Sequence, residues 1–178
     1  MRLSRTLLAA GLAMVMGMGW ARAEDQAPLM DNPLFEVWSS HNVGSSETLE
    51  GKISGPNGQE MIMESTYTLK EKTDDHVTIE TAATMEMMGQ KHTMPPQQKE
   101  IKAQVEKVDV EKVGSEEVSA MGQTFDCDIY EVHTDNSKAG GIKAKIWSCK
   151  DVPGGVVKME ANTPHGTMTL MLKNYDSK

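Results

Sequence analysis

Residues 124–158, TFDCDIYEVHTDNSKAGGIKAKIWSCKDVPGGVVK, decide the fold, because they hold a hairpin whose register can be read from side chains alone. A turn centred on Lys138 sets Cys127 opposite Cys149, Ile129 opposite Trp147 and Glu131 opposite Lys145 on one face. The other face then pairs Tyr130 with Ile146 and Val132 with Ala144. One register thus yields a cysteine pair, an opposite-charge pair and apolar cross-strand pairs, which is what a specified antiparallel hairpin requires. Cys127 and Cys149 are expected to face each other directly, as a structural disulfide across adjacent strands.

The same pattern extends in both directions. Downstream, Asp151-Val152-Pro153-Gly154-Gly155 has proline and glycine placed for a type II turn, and strands over 156–163 and 166–175 flank Pro164-His165-Gly166. Upstream, 115–121 and 124–134 form a hairpin around Gly122-Gln123, with the glycine first in a type II′ loop. Strands over 45–53 and 60–70 flank the turn 54–58. In the second of them Met61, Met63, Tyr67 and Leu69 share one face. The next strand repeats that odd-numbered phase with Val77, Ile79, Ala83, Met85 and Met87, while Thr78, Glu80, Thr84 and Glu86 face the other way. Such alternation describes an antiparallel sheet covering a core on one side. Pro95-Pro96 makes 91–94 a short or edge strand. Over 99–113 the apolar phase slips between Val105 and Val108; strand is preferred for its valines, with a bulge or a strand leaving the sheet, although the spacing of Ile101, Val105 and Val108 also suits a helix.

The chain opens with Arg2 and Arg5, an apolar run over 7–18 and Ala21-Arg22-Ala23, the layout of a secretory signal peptide cleaved after residue 23. Residues 24–32 read as a flexible mature N-terminus and 33–178 as a single β-rich domain. Asn32-Pro33 caps a short helix over 33–40 that carries Leu34, Val37 and Trp38. The fold class is mainly β: a curved antiparallel sheet, half-barrel or open barrel, of nine or ten short strands with one short N-terminal helix.

The leader takes all three arginines with it, leaving 15 lysines against 26 acidic residues. A strongly acidic chain without arginine lacks the basic face that nucleic acid requires. Nothing after the leader is apolar enough to span a membrane, so the product is expected to be exported, periplasmic or secreted. Two cysteines in that setting read as a disulfide, which contributes roughly 3 kcal/mol for a loop of this span.

No GxSxG elbow, phosphate-cradling glycine loop or dinucleotide fingerprint is present, so the chain reads as non-enzymatic, and no cofactor is expected. Methionine is the compositional oddity: eleven follow residue 23. Met85, Met87, Met88, His92 and Met94 cluster, and thioether and imidazole groups suit Cu(I). Methionine also makes adaptable apolar surfaces. Trp38, Met61, Met63, Tyr67, Ile79, Met85 and Met87 are therefore the expected ligand-facing residues. The leading reading is an exported β domain binding a lipid or other apolar or amphipathic molecule in the concave face of its sheet. The alternatives are an envelope protein-interaction or structural module with a solid core, and Cu(I) binding by Met85, Met87, His92 and Met94.

Gly44-Ser45 opening the sheet, Gly122 five residues before Cys127, the Trp147 strand and Val152-Pro153-Gly154-Gly155-Val156-Val157-Lys158 resemble a group of uncharacterised exported bacterial β-rich proteins. Their layout in turn is similar to that of the lipoprotein carrier (LolA/LolB-like) proteins, in which a curved sheet wraps an apolar cavity closed by helices. The resemblance implies an apolar ligand such as an acyl chain. Those carriers have an arginine inside the barrel; this chain has none after Arg22, and no functional residue carries over.

Overall fold

The structure, a computed structural model, describes residues 29–54, 60–87, 89–106, 109–134, 142–163 and 166–178. The leader, residues 24–28, Met88 and His165 lie outside them. Eleven strands and one helix are present among the described residues. In chain order they are β1 (Leu29–Asp31), α1 (Pro33–Ser39), β2 (Ser46–Ser54), β3 (Glu60–Lys72), β4 (His76–Met87), β5 (Gln90–Lys102), β6 (Gln104–Glu106), β7 (Asp109–Ala120), β8 (Gln123–Thr134), β9 (Ile142–Ser148), β10 (Val156–Thr163) and β11 (Gly166–Asp176). None of these elements is a helix long and apolar enough to cross a membrane.

Nine strands form one open antiparallel sheet in the order β5-β4-β3-β2-β11-β10-β9-β8-β7. It consists of two meanders, β2 to β5 and β7 to β11, joined where the first strand of one pairs with the last strand of the other. Both edges are interrupted. β5 carries Pro95-Pro96, which lack the N–H groups a ladder needs, and its register with β4 shifts there. β7 has a bulge between Lys112 and Gly114. Such breaks protect an open edge from pairing with another chain.

The hairpin register holds at every described pair: Ile129 faces Trp147, Tyr130 faces Ile146, Glu131 faces Lys145 and Val132 faces Ala144. Pairing stops at Asp128 and Ser148, one step before the cysteines. Cys149 instead opens the buried turn and donates its N–H to Gly155 O at 2.9 Å. Both cysteines are buried free thiols.

The described residues of 99–113 are strand, not helix, apart from a bend at Ala103; Val108 lies outside them. β5 ends at Lys102, and β6 then leaves the main sheet to pair with β1, Met30 facing Val105. That pairing ties down part of the segment expected to be loose, and Asn32 is buried next to it. The Asn32 side chain caps α1 by accepting from Leu34 N at 3.1 Å, and its amide donates to Lys102 O at 2.8 Å. Pro33 occupies the first helical turn, where a missing N–H costs nothing.

Two expectations are corrected. The loop between β7 and β8 is Met121-Gly122, closed by Ala120 and Gln123, with φ of 56° and 76°. Two left-handed residues make a type I′ turn, so the loop lies one residue earlier than the glycine alone indicated. Met121 is a poor left-handed residue and is exposed. Replacing it with Asn is expected to stabilise the protein by about 1 kcal/mol, read from urea denaturation; no gain would show that the turn relaxes to another type.

The second correction concerns the core. Cross-strand partners place Trp147, Ile129 and Cys127 on the opposite face from Met159, Leu170 and Met63, yet all six are buried. The core is therefore not confined to one side. β8 runs five residues beyond its last pair with β9, and β7 approaches β10 and β11 without pairing with either. The hairpin end folds back, and Phe125 packs edge-on against Tyr175, with ring centroids 6.1 Å apart.

Candidate functional site

The face that carries the methionines can be followed row by row across the sheet. One row runs Met159, Leu170, Gly51, Met63, Met85, His92. The next runs Ala161, Met168, Ile53, Met61, Met87, Gln90. Met94 lies opposite Ala83, next to them. Seven of the eleven methionines after the leader thus share one face, and the sequence phase of β3 and β4 pointed to four of them. Their burial is graded along the strands. Trp38, Tyr67, Leu69, Val77 and Ile79 are buried at one end, and Met63 next to it is 4% exposed. Towards the other end Met61, Met85, Met87, Met94 and Ile53 are half-buried, and His92 is exposed.

The structure thus places all seven expected ligand-facing residues on or over this face. Trp38, Met63, Tyr67 and Ile79 belong to its packed end, and Met61, Met85 and Met87 to its open end. Met85, Met87, His92 and Met94 share the open end, with His92 directly opposite Met85. Among the described residues no group of three or more His, Cys, Asp or Glu side chains is placed to hold a metal ion.

The packed end contains a group that sequence reading passed over. Glu47 is completely buried, and its partners on both neighbouring strands are tyrosines, Tyr175 and Tyr67. Its Oε2 accepts from Val156 N at 3.4 Å, while Oε1 has no hydrogen-bond partner. Tyr67 OH and Trp38 Nε1 are likewise buried and unpartnered. Groups of this kind cost about 1–3 kcal/mol each when left unsatisfied, so three together need a reason.

The geometry brings the Glu47 carboxyl and the Trp38 ring together at one turn, with Tyr67 opposite Glu47 on the neighbouring strand. The turn closed by Gly155 N to Val152 O at 2.8 Å presses Gly154 between the carboxyl and the indole. A Cβ at Gly154 would lie 2.1 Å from Glu47 Oε1 and 2.7 Å from Trp38 Cζ2. Its φ of 78° independently calls for glycine, so the Pro-Gly spacing read in sequence is met at the site itself.

Electrostatics follow from this burial. Desolvation pushes the Glu47 carboxyl well above the usual carboxylate range and so favours its neutral form, opposed by the Val156 N–H. Burial, and secondarily any negative charge on Glu47, pushes the Tyr67 phenol up, with Ser65 acting in the opposite sense. Chemically the cluster is a set of neutral donors and acceptors in an apolar box.

Two clefts among the described residues lie elsewhere. One, of about 370 Å³, is lined by Ser115, Glu116, Glu117, Asp126, Cys127 and Asp128. The other, about 150 Å³, includes Glu50, Glu64, Lys91 and Lys173. Lys173 bonds both Glu50 and Glu64 at 2.5 Å and pulls the Glu64 carboxyl below its ordinary value. On the same outer face the Trp147 indole donates to Glu116 Oε2 at 2.9 Å, with the Lys158 ammonium 4.2 Å from the ring centroid.

No protein-family profile and no curated protein matches the chain. Solved structures with similar architecture include one described as an exported protein with a YmcC-like fold from Bacteroides fragilis, at 12% identity and a TM-score of 0.48, covering 76% of this chain and 97% of that one. Another is described as an outer membrane lipoprotein-sorting protein domain from Vibrio parahaemolyticus, at 11% identity and a TM-score of 0.33, covering 76% and 86%. The likeness is one of architecture, as the sequence resemblance implied, and carries nothing about ligand or activity.

Proposed function

We propose that this chain is an exported, non-enzymatic β domain that binds an acyl chain or similar apolar ligand on its methionine face. The observation that carries this reading is the gradient along that face, from a packed floor at Trp38 to half-buried Met61, Met85, Met87 and Met94 at the open end. Long unbranched thioether side chains adapt to ligands of varied shape, which distinguishes such a surface from a core built of Leu and Ile.

Native mass spectrometry of the chain purified without detergent is expected to show a lipid-sized adduct. Replacing Met85 and Met87 together with Asp is expected to weaken its retention about tenfold or more, because two charges would then face the bound chain. A wild-type chain that never carries lipid, alone or after incubation with vesicles, would sink the reading in favour of a packed interaction module.

A further inference from the structure

We propose that Glu47, Tyr67 and Trp38 form the polar end of this binding face and receive the uncharged, hydrogen-bonding head of an amphipathic ligand, a hydroxyl or ester attached to an acyl chain. The inference rests on the reading above and adds the chemistry of the head. It stands on three unpartnered polar atoms, each at least nine-tenths buried, at the closed end of the face whose other end is half-open. The indole N–H donates, the phenol donates or accepts, and the carboxyl does either in its neutral form. Together they match a group that carries both an oxygen acceptor and a hydroxyl donor.

Charge narrows the class further. Burial and one backbone N–H are the influences on the Glu47 carboxyl, and among the described residues no lysine or histidine acts on it. An anionic head would meet a buried carboxyl without a counter-charge. A cationic head would require two charges to be desolvated together, which a site with so few further hydrogen bonds repays poorly.

Access runs through α1. This single short helix covers the cluster with Trp38 and is held at its ends, by the Asn32 cap and by the Lys72 ammonium on the carbonyls of Ser39 and His41 at 2.6 and 3.1 Å. Swinging it outward lifts Trp38 off the cluster without separating any strand of the main sheet, and the turn at Gly154, which lies against the Glu47 carboxyl, must yield with it.

The test compares dodecanol, dodecanoate and dodecylamine as competitors of a fluorescent naphthylamine probe on the full mature chain at neutral pH. Dodecanol is expected to bind about tenfold more tightly than either charged analogue. Glu47→Gln keeps that preference because the amide still donates and accepts. Glu47→Leu erases it while chain binding persists. Equal affinity for the three, a preference for dodecylamine, or a preference that survives in Glu47→Leu overturns the proposal and leaves chain binding standing. Failure of all three to bind overturns the underlying reading instead.

Discussion

Glu47→Leu is expected to raise the unfolding free energy by about 2–3 kcal/mol more near pH 8 than near pH 4, where only removal of the unsatisfied Oε1 acts. The wild-type carboxyl is fully buried, and desolvation lifts its folded-state pKa above the unfolded value. A group shifted in that direction contributes its full stability below the unfolded pKa, about 4.3 for Glu. That contribution is lost progressively as pH rises through the folded pKa, because the unfolded chain releases the proton first. The wild type should therefore weaken from acid towards alkaline pH, and the variant should lack this slope while also losing the unsatisfied Oε1. Glu47→Gln should remove the slope with a smaller gain, since an amide still needs partners in the same box. Urea titrations at a series of pH values read both effects. Parallel stability curves for wild type and Glu47→Leu would show that the carboxyl reaches water.

The second large effect is redox. Treating the reduced chain with oxidised glutathione is expected to join Cys127 to Cys149 within one molecule and to stabilise it by roughly 3 kcal/mol. Each protein thiol gives up its hydrogen, two electrons pass to the glutathione disulfide, and two glutathione thiols form. Pairing stops at Asp128 and Ser148, so the bond requires the ladder to extend one step to bring Cys127 against Cys149; the two are close enough that Cys149 acts electrostatically on the Cys127 thiol. The same surroundings slow it. Burial first, then Cys149 and the carboxylates Asp126, Asp128 and Glu116, push the Cys127 thiol up to about 11, so the reactive thiolate is scarce at neutral pH. Oxidation should therefore speed up as pH rises. Its entry point is the cleft that Cys127 helps to line. Loss of two hydrogens in the monomer mass, with a raised urea midpoint, is the expected result. Full alkylation of both cysteines after oxidation, or a linked dimer, would count against the pairing.

What was legible in the sequence followed from chemistry that two strands must share. The hairpin register could be read because charge and apolar pairs had to match at once, although the cysteine pair that the same register implied lies one step beyond the last paired residues. The helix start could be read from Asn32-Pro33, and the left-handed turn from Pro153-Gly154. The methionine face was visible in the odd-numbered phase of β3 and β4. Glu47 was legible and passed over: it shares the phase of Leu49, Gly51 and Ile53, and parity alone places it inward. An acid in a strand rich in Ser, Thr and Glu reads as solvated until its neighbours are known. The folded-back hairpin was beyond reach because it depends on β8 outrunning β9, a tertiary fact with no local signature. Met121 shows the same limit, since a methionine gives no hint of positive φ.

The pairing of β2 with β11 also bears on how the chain folds. Every other pair in the main sheet joins strands adjacent in sequence, so each meander can zip up through short loop closures. The seam between the meanders, with Leu49 against Leu172, closes a loop that takes in almost the whole domain. Such non-local pairing carries the largest closure entropy and the slowest kinetics. Docking of the two meanders along β2 and β11 is then the expected slow step of folding. The buried end containing Glu47 and its partner Tyr175 forms only when that seam closes.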